Sequence, residues 1–279
     1  MFTLTGCFEK EKEDVTPNIY TTIYPTEYII KYLYGDYANI ESIYPSEVDL
    51  KNYKLTKKQI DNYSKGDYFI YNGLSNEKDI AKSLINNNNK LQLIDVSYDL
   101  TYNYGVEELW LSPNIFLMLA KNVKKNLINY IPEKYEQIKT IETKFDELSE
   151  TISLLDAELR NTATTAKANN KNRILASSNM FKYLEKYGFV VDSLDGVTVD
   201  SNEYNKIKNN VANKNYHVLL IRDVDNDIEV INKIKSSYTI NTLTVNTMLT
   251  LTTNNVENSE DYLSIMNKYI NELDKFVNN

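Results

Sequence analysis

Residues 133 to about 168 contain neither Gly nor Pro, and apolar side chains recur there at Ile138, Ile141, Phe145, Leu148, Ile152, Leu155 and Leu159. Spacings of three and four place them on one face of a single helix. At 1.5 Å per residue, a helix of roughly 35 residues is about 50 Å long, which exceeds the width of one lobe. Two organisations accommodate it: a coiled-coil seam between two chains, or a strut that runs the length of the body and joins two lobes.

The flanks favour the strut, because each alternates strand and helix signals. On the N-terminal side, strands are expected at 19–24, 39–44, 67–71 and 91–96, with helices at 26–33, 56–63 and 76–85. Thr56 followed by Gln59 has the form of a capping box. A further helix is expected at 114–130, ended by Pro132. On the C-terminal side, strand signals at 174–176, 190–191, 218–221 and 242–245 alternate with helix signals at 179–186, 201–211, 228–236 and 259–276. Such alternation predicts an α/β fold: two lobes, each with a parallel β-sheet flanked by helices, joined by one long rigid helix. The divisions are a tether over 1–14, a first lobe over 15–131, the linking helix over 132–170 and a second lobe over 171–279.

Composition narrows the chemistry. Among 279 residues, 39 are acidic and 31 basic, for a net charge of −8. That balance argues against general nucleic-acid binding, which needs a basic face. A single Cys excludes an internal disulfide framework, and a single His, His217, excludes multi-histidine metal sites. His217 is read as a partly buried structural residue. The 23 tyrosines are read mainly as compositional bias and surface, with some available to line a pocket. No Gly-rich phosphate loop, GxSxG, HExxH or paired-Cys motif occurs, so the chain is not expected to be an enzyme. The run Asp223 to Asp227 superficially resembles a calcium loop, but Ile228 and Ile234 stand where Gly and Glu are required. It is read as a solvated acidic turn.

Leu4-Thr5-Gly6-Cys7 has the form of a lipobox, with Cys7 as the acylated residue. Only Met1-Phe2-Thr3 precede it, so the start reads as truncated relative to a full leader. The charged run Phe8 to Asp14 that follows suits a flexible tether between a lipid anchor and the body. The alternative is a chance occurrence at a frayed terminus. No apolar run of membrane-spanning length appears in the sequence.

Several segments, in order, resemble one family. They are Ile19 to Pro25 (an opening strand), Asp67 to Gly73 (a third strand and turn), Leu109-Trp110-Leu111-Ser112-Pro113, Phe181 to Gly188 and Asp261 to Met266. Together they resemble the metal-specific substrate-binding proteins of ABC importers, the ZnuA/TroA-like zinc and manganese binders. The resemblance implies two lobes with a metal in the cleft, held by two ligands from each lobe. It places the four ligand positions at Lys51, Glu108, Ser178 (or Ser177) and Asn246, and a strand-end Glu of the family at Arg222. It also implies an extracytoplasmic location on the outer face of the cell membrane, a lipid anchor and an ABC permease as partner. A monomer is expected.

The residues at those positions are poor metal ligands. Zinc and manganese are held by imidazole, thiolate and carboxylate, and only Glu108 offers one of these. Ser and Asn are weak neutral donors, and a Lys ammonium has no lone pair. No cofactor is therefore expected from these residues, although the family implies zinc or manganese. Lys51 and Glu108 either pair as an internal cation and its counter-charge or both turn to solvent. The expected function is a substrate-binding lipoprotein with its ordinary metal site replaced. The alternatives are a cell-surface adhesin or sensor on the same scaffold, or a receptor for a small anion or amino acid using Lys51, Arg222, Ser178 and Asn246.

Overall fold

In the computed structural model, the described residues are 16–48, 50, 52–130, 135–225 and 228–278. Cys7 with its tether, and Lys51, lie outside them. Short β-branched and aromatic segments build two four-stranded sheets, each parallel throughout. The first contains β1 (Asn18–Thr21), β2 (Asn39–Ser42), β3 (Tyr68–Tyr71) and β4 (Gln92–Asp95), in the order β2-β1-β3-β4. The second contains β5 (Arg173–Ala176), β6 (Val190–Ser193), β7 (Leu219–Arg222) and β8 (Thr242–Val245), in the equivalent order β6-β5-β7-β8. The expected α/β architecture of two parallel sheets is therefore present, and the strand order reverses between β1 and β3 and between β5 and β7.

Helices connect the strands. The first lobe carries α1 (Tyr24–Tyr34), α2 (Lys57–Tyr63), α3 (Glu77–Asn87), α4 (Glu108–Leu111) and α5 (Pro113–Tyr130). The strut is α6 (Tyr135–Ala168), followed by α7 (Asn202–Ala212), α8 (Glu229–Ser237), α9 (Thr253–Glu257) and α10 (Tyr262–Asn278). The Thr56–Gln59 capping box forms as expected.

Three local expectations are corrected. The opening strand ends at Thr21 rather than Tyr24, because Pro25 sits in the first turn of α1, where its missing N–H costs nothing. The segment Asn179–Tyr187 is a 3-10 helix, closed by Gly188 at φ +112°. The expected last helix over 259–276 is α10, and a short helix that was not expected, α9, precedes it, started by a second capping box of Thr252 and Asn255. Many tyrosines are also core residues rather than surface: Tyr262 is fully buried, and Tyr28, Tyr183 and Tyr269 are buried around it.

The apolar face of α6 packs on α1, α5 and α10 of the same chain, which accounts for the stripe without a second chain. One contiguous core runs from Ile19 and Phe69 through Leu148 and Leu159 to Ile174 and Leu243, so both lobes share it. A smaller core, with Leu175, Ile207 and Ile231, fills the far face of the second sheet. Among the described residues, no helix is long and apolar enough to cross a membrane.

A shared core predicts cooperative unfolding. Leu159→Ala, at a fully buried position, is expected to cost about 2–5 kcal/mol. The urea transition should move to lower concentration yet stay single by both far-UV circular dichroism and Trp110 fluorescence. Two separated transitions would contradict a common core.

Candidate functional site

In open parallel sheets, ligands bind beyond the carboxyl ends of the strands where strand order reverses. Here those two edges face each other. The Tyr24 N–H donates to the Leu249 carbonyl at 3.1 Å, and the Trp110 indole Nε1 donates to the Thr247 carbonyl at 2.8 Å. Glu47 adds two more contacts: its N–H donates to Thr250 Oγ1 at 3.1 Å, and its Oε1 accepts from the Thr253 N–H at 3.0 Å. Gly105 lies so close to the second lobe that an added Cβ would stand 3.0 Å from Met180 Cβ.

On the first lobe, the strand ends are stitched by carboxylates. Asp95 Oδ1, at the end of β4, accepts from the Gly73 N–H at 2.9 Å and from Ser97 N–H and Oγ at 2.9 and 2.7 Å. An added Cβ at Gly73 would fall 2.0 Å from Asp95 Oδ2, so the Asp95 carboxylate would have to shift. Glu77, from the start of α3, turns back to accept from the Asn72 N–H at 2.8 Å. Burial lifts the Glu77 carboxyl from its ordinary 4.5 to about 7, against the bond from the Asn72 N–H, with the Asp95 charge adding to the rise.

Glu108 is buried, and its Oε2 accepts from the backbone N–H groups of Asn103 and Tyr104 at 3.0 and 3.3 Å. It thereby folds the loop before α4 onto itself. These two N–H groups are its hydrogen-bond donors among the described residues; the expected pairing with Lys51 involves a residue outside them.

On the second lobe, β5 is followed by Ser177 and Ser178, and their roles separate. Ser178 Oγ accepts from the Met180 N–H at 3.3 Å, capping the 3-10 helix, and donates to Asp195 Oδ2 at 3.1 Å. Ser177 Oγ accepts from the Arg222 N–H at 3.0 Å and donates to Asp225 Oδ2 at 2.7 Å. Asn246, just beyond β8, accepts from the Met248 N–H at 2.8 Å through Oδ1 and donates to Asn255 Oδ1 at 3.2 Å. The first of these bonds supports Met248 at φ +55°, a conformation uncommon outside glycine.

Arg222 crosses the gap. Its Nε and Nη2 donate to the two carboxylate oxygens of Asp225 at 2.6 and 2.8 Å, and its Nη1 reaches Glu107 Oε1 in the first lobe at 3.3 Å. A second cation does the same nearby. Lys186 donates across the gap to Ser112 Oγ at 2.5 Å and to Asn114 Oδ1, and its ammonium lies within electrostatic reach of Asp156 and Glu108. Burial draws the Lys186 pKa down in spite of them.

Of the predicted positions, Arg222 contacts the opposite lobe, whereas Glu108, Ser177, Ser178 and Asn246 bond within their own lobes. Sequence reasoning missed Asp225, Glu107, Lys186 and Glu77 as partners. The expectation of a solvated acidic turn is corrected at Asp225, which is buried, and at Asp223, which binds Thr247 N–H and Oγ1 at 3.1 and 2.6 Å. The available signal was Asp225 three residues after Arg222, a spacing that allows an ion pair across a tight turn.

Residues 19–276 match the family described as "ZnuA: Zinc-uptake complex component A periplasmic". The chain belongs to this family. Among relatives, it is 23% identical over 301 aligned positions to the zinc-binding lipoprotein AdcA of Streptococcus pneumoniae, covering 97% of this chain and 58% of AdcA. It is 23% identical to the high-affinity zinc uptake system protein ZnuA of Bacillus subtilis, covering 92% of this chain and 86% of that protein. The chain therefore spans less than two thirds of AdcA. In structure, it superposes on the Zn(II)-bound ZnuA-like domain of S. pneumoniae AdcA with a TM-score of 0.77 at 22% identity, covering 95% of this chain and all of that one. The metal-dependent lipoprotein YcdH of B. subtilis gives a TM-score of 0.78 at 21% identity, covering 94% of this chain and all of that one. These superpositions establish the fold.

Glu77 gives a pH prediction. An acid whose pKa is raised in the fold contributes its full stability below the unfolded value, near 4.5, and loses it as pH rises through about 7. Glu77→Gln keeps an acceptor for the Asn72 N–H and does not titrate. In urea unfolding at stepped pH, the stability of E77Q relative to wild type should climb from pH 4.5 to above 7, by on the order of 3 kcal/mol. A pH-independent difference would contradict the assignment.

Proposed function

We propose that this chain is the extracytoplasmic substrate-binding component of an ABC importer of the zinc-uptake type, tethered through Cys7, and that its cleft does not hold a transition ion through the four family positions. Family membership and the two-lobed fold support the first half. The second half rests on one observation: each described side chain at those positions is already committed within the chain. Glu108 holds the Asn103 and Tyr104 N–H groups, Ser178 caps a helix and binds Asp195, and Asn246 holds Met248 and Asn255.

The donor set agrees with this. One carboxylate, one hydroxyl and one amide, with Lys51 as the fourth, do not match the ligands zinc or manganese select. Among the described residues, no three His, Cys, Asp or Glu side chains are placed to hold a metal ion. A small-anion receptor is less well supported, because Arg222 is engaged by Asp225 and Glu107.

Calorimetric titration of the purified full chain with zinc and with manganese tests the proposal, together with metal analysis after dialysis. No binding tighter than about 1 μM is expected, the affinity to which about 8 kcal/mol corresponds. Stoichiometric binding at nanomolar concentration would overturn it.

A further inference from the structure

We propose that Arg222 is a built-in clamp between the lobes: its guanidinium cross-links a carboxylate from each side, the task a bound cation would otherwise perform. The inference rests on the reading of the cleft given above.

The geometry carries the argument. Arg222 stands at the carboxyl end of β7, beside the strand-order reversal of the second sheet. Two of its nitrogens are spent on Asp225 in a bidentate pair, which leaves Nη1 for Glu107 across the gap. Ser177 fixes this arrangement from behind, since its Oγ bonds both the Arg222 N–H and Asp225 Oδ2. The side chains of Arg222, Glu107 and Asp225 are 21%, 13% and 6% exposed, so salt screens them little. A planar, permanently charged fork suits this bridging, whereas a lysine would offer only a point charge.

Charge balance points the same way. Burial alone would weaken the Arg222 cation, but Asp225, Glu107 and Asp195 together hold its pKa above the ordinary value. Lys186 provides a parallel tie to Ser112 and Asn114. Cations of the second lobe thus meet acceptors of the first, and the lobes are held together without cargo. The carboxylates of Glu107 and Asp225 are occupied by the protein itself.

Hydrogen–deuterium exchange of the metal-free full chain tests the clamp in wild type, Glu107→Gln, Arg222→Gln and the double variant. Each single change should speed exchange in the loop 101–107 by on the order of tenfold, the factor that 1.4 kcal/mol produces. The double variant should match the singles rather than multiply them, because one shared contact is lost. Unchanged exchange in E107Q, or multiplicative effects in the double variant, would overturn the clamp. If R222Q fails to fold because Asp225 is left buried and unpaired, E107Q, in which Arg222 and Asp225 stay paired, still decides. Because no metal is present, tight zinc binding by the wild type would sink the proposed function and leave this result readable separately.

Discussion

Trp110 is where the two sheets are joined. Its indole N–H donates to the Thr247 carbonyl beyond β8, and its own carbonyl accepts from the Tyr262 hydroxyl of α10 at 2.6 Å. Tyr262 in turn stacks on Phe116 of α5, with ring centroids 3.8 Å apart, and tilts against Tyr28 of α1. All four rings are buried, so these polar bonds form in a low-dielectric setting where leaving one unmade costs more than it would in water. The facing edges are positioned by this packed junction and by the shared core along α6. Lobe movement is therefore expected to be small, and the cleft's contents follow from which side chains the edges present.

Those side chains find their partners within the chain. The first lobe presents Glu107, Glu108, Asp95 and Glu77, and the second presents Arg222, Lys186, Asp225 and Asp195. Carboxylates at strand ends are costly to bury unless paired or hydrogen-bonded. Asp95 and Glu108 bind backbone N–H groups, Glu107 and Asp225 bind Arg222, and Glu77 reduces its cost by holding its proton to a higher pH. These strand-end polar groups complete their bonding within the chain.

Much of the fold was legible in the sequence. The Gly- and Pro-free stripe over 133–168 gave α6 almost to the residue, and the alternation of strand and helix signals gave both sheets. Pro25 misled because proline both ends strands and begins helices, and local sequence does not choose between them. The 3-10 character of Asn179–Tyr187 was hidden because Met180, Phe181, Leu184 and Tyr187 have the three- and four-residue spacing of an α-helix, although the turn they form is tighter. The site was legible only as positions. Glu108, Ser178 and Asn246 bond to neighbours within twenty residues, whereas the tie that joins the lobes, Arg222 to Glu107, links segments more than a hundred residues apart. No periodicity encodes such a meeting.

The most direct test is anomalous diffraction at the zinc edge from crystals of the full chain grown in excess zinc. The account predicts no anomalous peak between Glu108, Ser178 and Asn246, and an Arg222 guanidinium still bridging Glu107 and Asp225. A zinc ion bound to Glu108, with Arg222 swung away from Glu107, would contradict it.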